Sequence, residues 1–156
     1  TSGEKIPAGK HIRPLFSYVP QGNLLMSGTI RETVSMIADG VSDEEMKEAA
    51  RIACADGFIN KLPLGFETVI GEKGAGLSEG QVQRLAVMRA MLSEAPIILL
   101  DEATSALDEA TEERLLSNIK ELKNKTCILI SHKKAAYSIC NKELKIENKK
   151  IYVKEI

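Results

Sequence analysis

Short apolar runs alternate along the chain with segments of helical periodicity, which is the pattern of an α/β protein. Three runs predict β-strands: Leu15–Val19, which ends before Pro20, Ile97–Leu100 and Cys127–Ile130. The second and third are apolar throughout and too short for helices, so we expect strands buried on both faces. Near the end of the chain, 144–146 and 151–153 predict a hairpin across residues 148–150.

Three capping-box pairs predict where helices begin. They are Thr29 with Glu32, Ser42 with Glu45, and Ser78 with Gln81. Apolar positions at helical spacing follow the second and third pairs, and a further helix is expected between the last two strands. The apolar positions are Met46, Ala49, Ala50 and Ala53; Val82, Leu85, Ala86 and Ala90; and Leu115, Leu116, Ile119 and Leu122. Residues 63–76 are punctuated by Gly and Pro and predict a loop.

Composition narrows the class of protein. A chain of 156 residues has room for about one domain, and 44% hydrophobic residues are enough for a core. The 21 basic and 22 acidic residues nearly cancel, which argues against a general nucleic-acid binder. No apolar run approaches the roughly 20 residues that cross a bilayer, so we expect this chain to be soluble by itself. Cys54, Cys127 and Cys140 lack metal-site spacing and predict buried free thiols in a reducing compartment.

The strongest chemical signal is the pair Asp101-Glu102 directly after a predicted buried strand. The carboxyl ends of parallel strands form the edge where open α/β sheets bind ligands. One carboxylate there could hold Mg²⁺ and the other could orient a water for phosphoryl transfer. The alternative is a solvated strand end followed by a helix start.

Three weaker signals accompany this pair. Ser78–Gln81 could form an anion site at a helix N-terminus, where Gly80 would let a phosphate approach, although ordinary capped helices have the same pattern. His132 follows a predicted strand and could contact a phosphate or a reacting water, or could be structural. Gln21 follows the first strand and, taken alone, could be a solvated turn residue.

Taken in order, these segments resemble the ATPase domain of ABC transporters. YVPQG (residues 18–22), LSEGQ (77–81), ILLDEATSALD (98–108) and ISH (130–132) resemble the Q-loop, the signature motif, Walker B with the D-loop, and the switch histidine. LLMSGTIRETV (24–34) and residues 62–81 resemble the exporter branch, in which the ATPase is fused to membrane-spanning helices. Glu79 departs from the glycine that is common in the signature motif.

The resemblance implies a role for each matching residue. Asp101 would support Mg²⁺, Gln21 would sense Mg²⁺ and water, Glu102 would be the general base, and His132 would contact the γ-phosphate. A second set would act between chains: Ser78, Gly80 and Gln81 would close on an ATP held by a second ATPase domain, and Asp108 would lie at that dimer interface. Gln21 and Glu72 would contact the coupling helices of the membrane domain.

The same resemblance implies the architecture. We expect a partial P-loop NTPase (RecA-like) parallel-sheet core with an inserted α-helical subdomain. Residues 1–23 and 91–156 would belong to the core, and residues 24–90 would form the helical subdomain with the signature motif. The parent protein would sit at the cytoplasmic face of the membrane and use ATP and Mg²⁺.

One expected motif is missing from the chain. The phosphate loop G-x-x-x-x-G-K-[ST] is not found, and Gly9-Lys10 fits a turn between two short strands better. Residues 1–12 resemble the segment that follows that loop, so we expect this chain alone neither to bind ATP tightly nor to hydrolyse it. The loss of a neighbouring strand should also expose apolar edges such as Cys127–Ile130.

Two interpretations stay open. In the first, the chain is the C-terminal portion of an exporter ATPase domain. In the second, it is a natural non-catalytic half-domain that supplies the signature motif in trans to a partner ATPase. A third class, the DNA-maintenance ATPases, fits poorly because Gln21 and LSEGQ lie on one short chain without a basic face. The transported substrate cannot be deduced from these residues.

Overall fold

A parallel three-stranded sheet and the helices beside it carry the candidate site. The computed structural model describes residues 7, 9–22, 25–38 and 40–156. The strands of the described chain are β1 (Phe16–Val19), β2 (Gly28–Thr29), β3 (Val69–Ile70), β4 (Ile97–Asp101), β5 (Thr126–Ile130), β6 (Lys142–Glu147) and β7 (Lys150–Glu155). The α-helices are α1 (Ile30–Ser35), α2 (Asp43–Ile52), α3 (Asp56–Ile59), α4 (Glu79–Leu92), α5 (Glu109–Lys120) and α6 (Lys134–Ile139).

The sheet has the strand order β1-β4-β5, and both pairings are parallel. Val19 lies opposite Leu100, and Asp101 lies opposite Ile130. Ile98 and Leu100 of β4 are fully buried and belong to one continuous core with Leu85 of α4 and Leu115 of α5. This architecture is the α/β, partial-domain fold that the sequence predicts.

The helix starts form where the sequence places them. Ser78 Oγ accepts a hydrogen bond from the Gln81 backbone N–H at 3.3 Å, and Gln81 Oε1 accepts from the Ser78 N–H at 2.8 Å. The same reciprocal pair of bonds begins α1 at Thr29 and α2 at Ser42. All three predicted capping boxes are therefore confirmed. Each satisfies backbone donors that a helix start leaves without intrahelical partners.

Strand burial differs from the expectation. In β4 the buried residues alternate with half-buried ones, and no residue of β5 is fully buried. Ile130 is 55% exposed. The prediction of strands buried on both faces is wrong for both, and the reason for β5 is its position: within the described chain it pairs with β4 on one side only.

Two local predictions are also corrected. Residues 10–15 form a 3₁₀ helix with Gly9 as its N-cap, so Gly9-Lys10 does not form the predicted turn between two strands. Leu15, which was predicted to begin β1, is instead the last residue of this helix. Pro14 favours this outcome because its fixed φ suits a helical turn and it has no N–H for a strand ladder. The predicted loop at 63–76 contains two 3₁₀ turns and β3, which pairs antiparallel with β2. Leu24 and most of residues 1–8 lie outside the described residues.

The C-terminal hairpin is confirmed. β6 and β7 pair antiparallel, and Asn148 and Lys149 both have positive φ, as a two-residue hairpin turn requires. Its large apolar side chains are exposed, namely Leu144, Ile146, Ile151, Tyr152 and Val153. No helix in the described part of the chain is long and apolar enough to cross a membrane.

All three cysteines are free, but only Cys54 is fully buried. Cys127 and Cys140 are half-buried, which corrects the prediction of three buried thiols. Burial nevertheless raises the pKa of the Cys127 thiol to about 12, so this side chain stays protonated near neutral pH.

We predict that the chain self-associates through the open edge of β5. An edge strand presents unpaired backbone groups to other chains, and an outward lysine discourages such pairing. Ile130→Lys should therefore shift the protein from oligomer to monomer in size-exclusion chromatography at high concentration. Ile146→Lys, on the exposed hairpin, is the matched control and should leave the oligomer unchanged. A sharp, well-folded monomer of the unsubstituted chain would contradict the prediction.

Candidate functional site

The carboxyl ends of the three parallel strands meet at one edge of the sheet. Gln21 lies two residues beyond β1, Glu102 directly follows β4, and His132 lies two residues beyond β5. Because neighbouring strands run parallel and in register, the three side chains leave the sheet on the same side. The sequence singled out each of these residues separately, and the fold brings them together.

Glu102 is the centre of this group. Its Oε2 accepts a hydrogen bond from Gln21 Nε2 at 2.5 Å, and its Oε1 lies 3.3 Å from His132 Nε2. The His132 side chain is 90% exposed and that of Glu102 is 26% exposed. A ligand could therefore approach the carboxylate from the histidine side, where the site is open to water.

The backbone of Glu102 is unusual for a residue with a side chain. Its φ is 49°, in the left-handed region, which costs energy for a non-glycine residue. Two hydrogen bonds hold this conformation: the Glu102 N–H donates to the Ile130 carbonyl at 2.9 Å, and its own carbonyl accepts from the Ser105 N–H at 3.1 Å. The turn directly after β4 is thus fixed from both sides of the peptide.

Asp101 has a partner that the sequence did not reveal. Its Oδ2 accepts a hydrogen bond from the Tyr18 hydroxyl at 3.0 Å, and this bond raises the pKa of Tyr18. The strand register could have suggested the contact, because Tyr18 lies opposite Leu99, two residues before Asp101 on the same face. The bond orients the carboxylate beside Glu102.

The oxygen donors at this edge suit Mg²⁺. The Asp101 carboxylate and the Gln21 side-chain carbonyl are hard oxygen ligands, whereas the Gln21 amide N–H₂ bonds Glu102. The described residues contain no cluster of three or more His, Cys, Asp or Glu side chains that could hold a metal. The two oxygen ligands of Asp101 and Gln21 fit an ion that completes its coordination shell with water and phosphate oxygens, which is how proteins usually bind Mg²⁺.

The signature segment begins α4, whereas Glu102 follows β4 and His132 lies beyond β5. Ser78 and Gln81 cap α4, and Glu79 is exposed in its first turn. No hydrogen bond or ion pair within the described part of the chain joins Ser78, Gly80 or Gln81 to Glu102 or His132. The two halves of the predicted site are therefore not joined by a direct polar contact in the described part of one chain.

The loop of residues 103–108, which we call the D-segment, is the structural link between these two halves. Gln83 of α4 donates to Ser105 Oγ at 2.9 Å and accepts from the Ala106 N–H at 3.0 Å. A Cβ on Gly80 would lie 2.9 Å from the Ala106 carbonyl oxygen. The sequence assigned Gly80 to phosphate approach, and the structure shows that its missing Cβ also permits close packing of α4 on the D-segment. Gln83 was missed because its partners lie more than 20 residues away.

Asp108 and Glu72 stand at exposed positions. Asp108 caps α5 by accepting from the Thr111 N–H at 2.9 Å and its hydroxyl at 2.8 Å, and these bonds lower the pKa of Asp108. The cap therefore stabilises α5 above the unfolded-state pKa and is lost as the pH falls through the folded-state pKa. Glu72 is exposed and begins a 3₁₀ turn before α4.

Comparison with known proteins decides the family. The family model "ABC transporter" matches residues 2–105. The chain belongs to the ABC transporter family. The resemblance to the ATPase domain of ABC transporters, exporter branch, is thereby confirmed.

The chain is similar to a flippase, to a translocation ATP-binding protein and to an ABC exporter of known structure. The chain is 45% identical over 126 residues to the ATP-dependent lipid A-core flippase of Vibrio vulnificus. It is 38% identical over 138 residues to the alpha-hemolysin translocation ATP-binding protein HlyB of Escherichia coli. These matches cover 80% and 88% of the chain but only 22% and 20% of the two ABC proteins. The structure of a bacterial Atm1-family ABC exporter with ATP bound matches with a TM-score of 0.82 and 35% identity, over 90% of the chain and 25% of the exporter chain.

We predict that Gly80→Ala destabilises the chain because its methyl group must displace the D-segment backbone. Overpacking of this kind costs about 1–3 kcal/mol in the free energy of unfolding. Gly57→Ala is the matched control, since nothing lies within 4 Å of the Cβ built at this helical glycine. Urea unfolding should show a clear loss for Gly80→Ala and none for Gly57→Ala. Equal effects would contradict the packing role of Gly80.

Proposed function

We propose that this chain is the C-terminal portion of an ABC exporter ATPase domain, in which it carries the general base, the switch histidine and the signature motif. The convergence of Gln21 and His132 on the Glu102 carboxylate is the observation that supports this role most. In the intact parent, ATP binding and hydrolysis would be coupled to export of a substrate across the membrane. The match to the structure of an Atm1-family ABC exporter supports that direction of transport.

The geometry suits hydrolysis of the γ-phosphoryl group. Glu102 would accept a proton from the attacking water. The water oxygen would form a bond to the γ-phosphorus while the bond from that phosphorus to the leaving ADP oxygen breaks. His132, open on one side, would contact the γ-phosphate, and Gln21 would orient the water through its bond to Glu102. Asp101 and Gln21 would support Mg²⁺, which when bound neutralises charge on the phosphates.

The signature residues would act on a second nucleotide. Ser78, Gly80 and Gln81 share no described hydrogen bond or ion pair with Glu102, which supports a role across a dimer interface rather than one at their own base. In the proposed dimer they would close on ATP held by the second ATPase domain, and Asp108 would lie at the interface. Gln21 and the exposed Glu72 would face the coupling helices at the cytoplasmic side of the membrane.

The phosphate loop must come from elsewhere in this proposal. The chain contains no G-x-x-x-x-G-K-[ST] motif, and this motif cradles the phosphates in P-loop ATPases. The same observation favours the second candidate, a half-domain that supplies the signature motif in trans. The coding sequence upstream of Thr1 separates them: a phosphate loop preceded by membrane spans supports the first, and a genuine start site there supports the second.

We predict that the chain alone neither binds ATP tightly nor hydrolyses it. Phosphate-loop amides and lysine supply the main contacts to the triphosphate, and the sequence lacks both. Phosphate release should equal the background rate and should be the same for the chain and its Glu102→Gln variant. Turnover that falls in the Glu102→Gln variant would contradict this prediction.

We further predict the effect of Glu102→Gln in the polypeptide or complex that supplies the phosphate loop. The substitution should lower kcat by about 10²–10⁴-fold with ATP binding retained, because a positioned base contributes roughly that factor. Glu113→Gln, an exposed carboxylate of α5, is the matched control and should keep the parent rate. A kcat within twofold of the parent for Glu102→Gln would show that Glu102 is not the base.

A further inference from the structure

The Lys133 side chain joins two loops that the proposed mechanism treats separately. Its Nζ lies 3.0 Å from the Thr104 carbonyl and 3.1 Å from the Leu107 carbonyl, both in the D-segment. It also lies 3.0 Å from Glu112 Oε2 in α5. An ammonium group has three N–H donors, and these three oxygens can accept all of them.

Glu112 completes this arrangement from inside the core. Its side chain is only 3% exposed, and its second oxygen accepts the Thr104 hydroxyl at 2.6 Å. Both carboxylate oxygens therefore have partners, which a buried charge requires. Thr104 is bound twice, by its carbonyl to Lys133 and by its hydroxyl to Glu112, so the first half of the D-segment is fixed to both groups.

The position of Lys133 in the sequence places its side-chain contacts next to the candidate site. Lys133 directly follows His132, and the D-segment directly follows Glu102 and ends at Asp108. The backbone N–H of Lys133 also donates to Ser131 Oγ at 3.1 Å, which tightens the turn that carries the histidine. The ammonium thus connects the histidine turn to the segment that begins at the base and ends at Asp108.

We propose that Lys133 is a positioning residue that sets the spacing between His132 and Glu102 and holds the D-segment against α4. Through Gln83 and Gly80, the opposite side of the D-segment contacts the signature helix. Movement at the signature end would therefore reach the His132–Glu102 pair through the D-segment and Lys133. The importance of this spacing for catalysis rests on the proposed function; the positioning itself does not.

The test separates positioning from simple charge neutralisation. Lys133→Met leaves a buried, unpaired carboxylate and should destabilise the chain strongly. The double variant Lys133→Met/Glu112→Gln removes that charge as well and should regain most of the stability in urea unfolding. Lys133→Arg keeps a cationic donor and should retain the stability of the unsubstituted chain. Lys125→Met is the matched control, because Lys125 Nζ also donates to two carbonyls. They belong to Ser93 and Ala95, which precede β4, whereas the D-segment follows β4.

Amide hydrogen exchange measures the D-segment directly. The Leu107 N–H donates to the Thr104 carbonyl and the Ala106 N–H donates to Gln83, so both amides report on this loop. In the double variant we expect both to exchange about tenfold faster relative to core amides of α4, the size expected for loss of a charge-assisted hydrogen bond. Lys133→Arg and Lys125→Met should leave this ratio unchanged. Parent-like exchange in the double variant would overturn the proposal, because Lys133 would then only neutralise Glu112.

The histidine ring supplies the second readout. The chain has two histidines, so His11 serves as an internal reference in the NMR spectrum. In the chain that keeps Lys133 and Glu112, Glu102→Gln should shift the His132 ring resonance. When Glu102→Gln is added to the double variant, the shift should be smaller by at least half. An undiminished shift would overturn the claim that Lys133 sets the spacing. Neither readout involves ATP, so a failure of the proposed function would leave both results interpretable.

Discussion

The parallel register of β1, β4 and β5 is the constraint on which the candidate site depends. It places the residues after three strands at one edge, although they are separated in sequence by up to 111 positions (132 − 21). Without that register, Gln21, Glu102 and His132 would be an isolated turn glutamine, a strand-end carboxylate and an exposed imidazole. With it, the amide donates to one carboxylate oxygen and the imidazole lies beside the other.

Nearby hydrogen bonds offset the energetic cost of the strained backbone at Glu102. Glu102 adopts a left-handed backbone that a side chain disfavours, and hydrogen bonds from its own N–H and to its own carbonyl hold it there. The D-segment that follows is held from one side by Gln83 and from the other by Lys133. Buried Glu112 anchors the second of these contacts. Glu102 therefore directly follows a paired strand, and the loop after it is tied by hydrogen bonds to α4 and α5.

The sequence predicted local features well and long-range contacts poorly. The capping boxes at Thr29, Ser42 and Ser78 were predictable because each depends on residues three positions apart. The strand-end position of Glu102 was predictable because an apolar run precedes Asp101-Glu102. The Tyr18–Asp101 bond joins residues 83 positions apart, so no local pattern contains it. The apolar run of β5 wrongly predicted burial on both faces, since burial of a strand depends on which neighbours flank it in the sheet. The exposure of Ile130 agrees instead with the expectation of an exposed edge at Cys127–Ile130.

The central claim is that Glu102 and His132 act as one unit at the edge of the sheet. A double-mutant cycle on kcat, with Glu102→Gln and His132→Ala in the assembly that supplies the phosphate loop, tests it most directly. The account predicts that the double variant hydrolyses ATP about as slowly as the slower single variant, because residues that act as a unit have non-additive effects. Effects that multiply, as for independent residues, would contradict it.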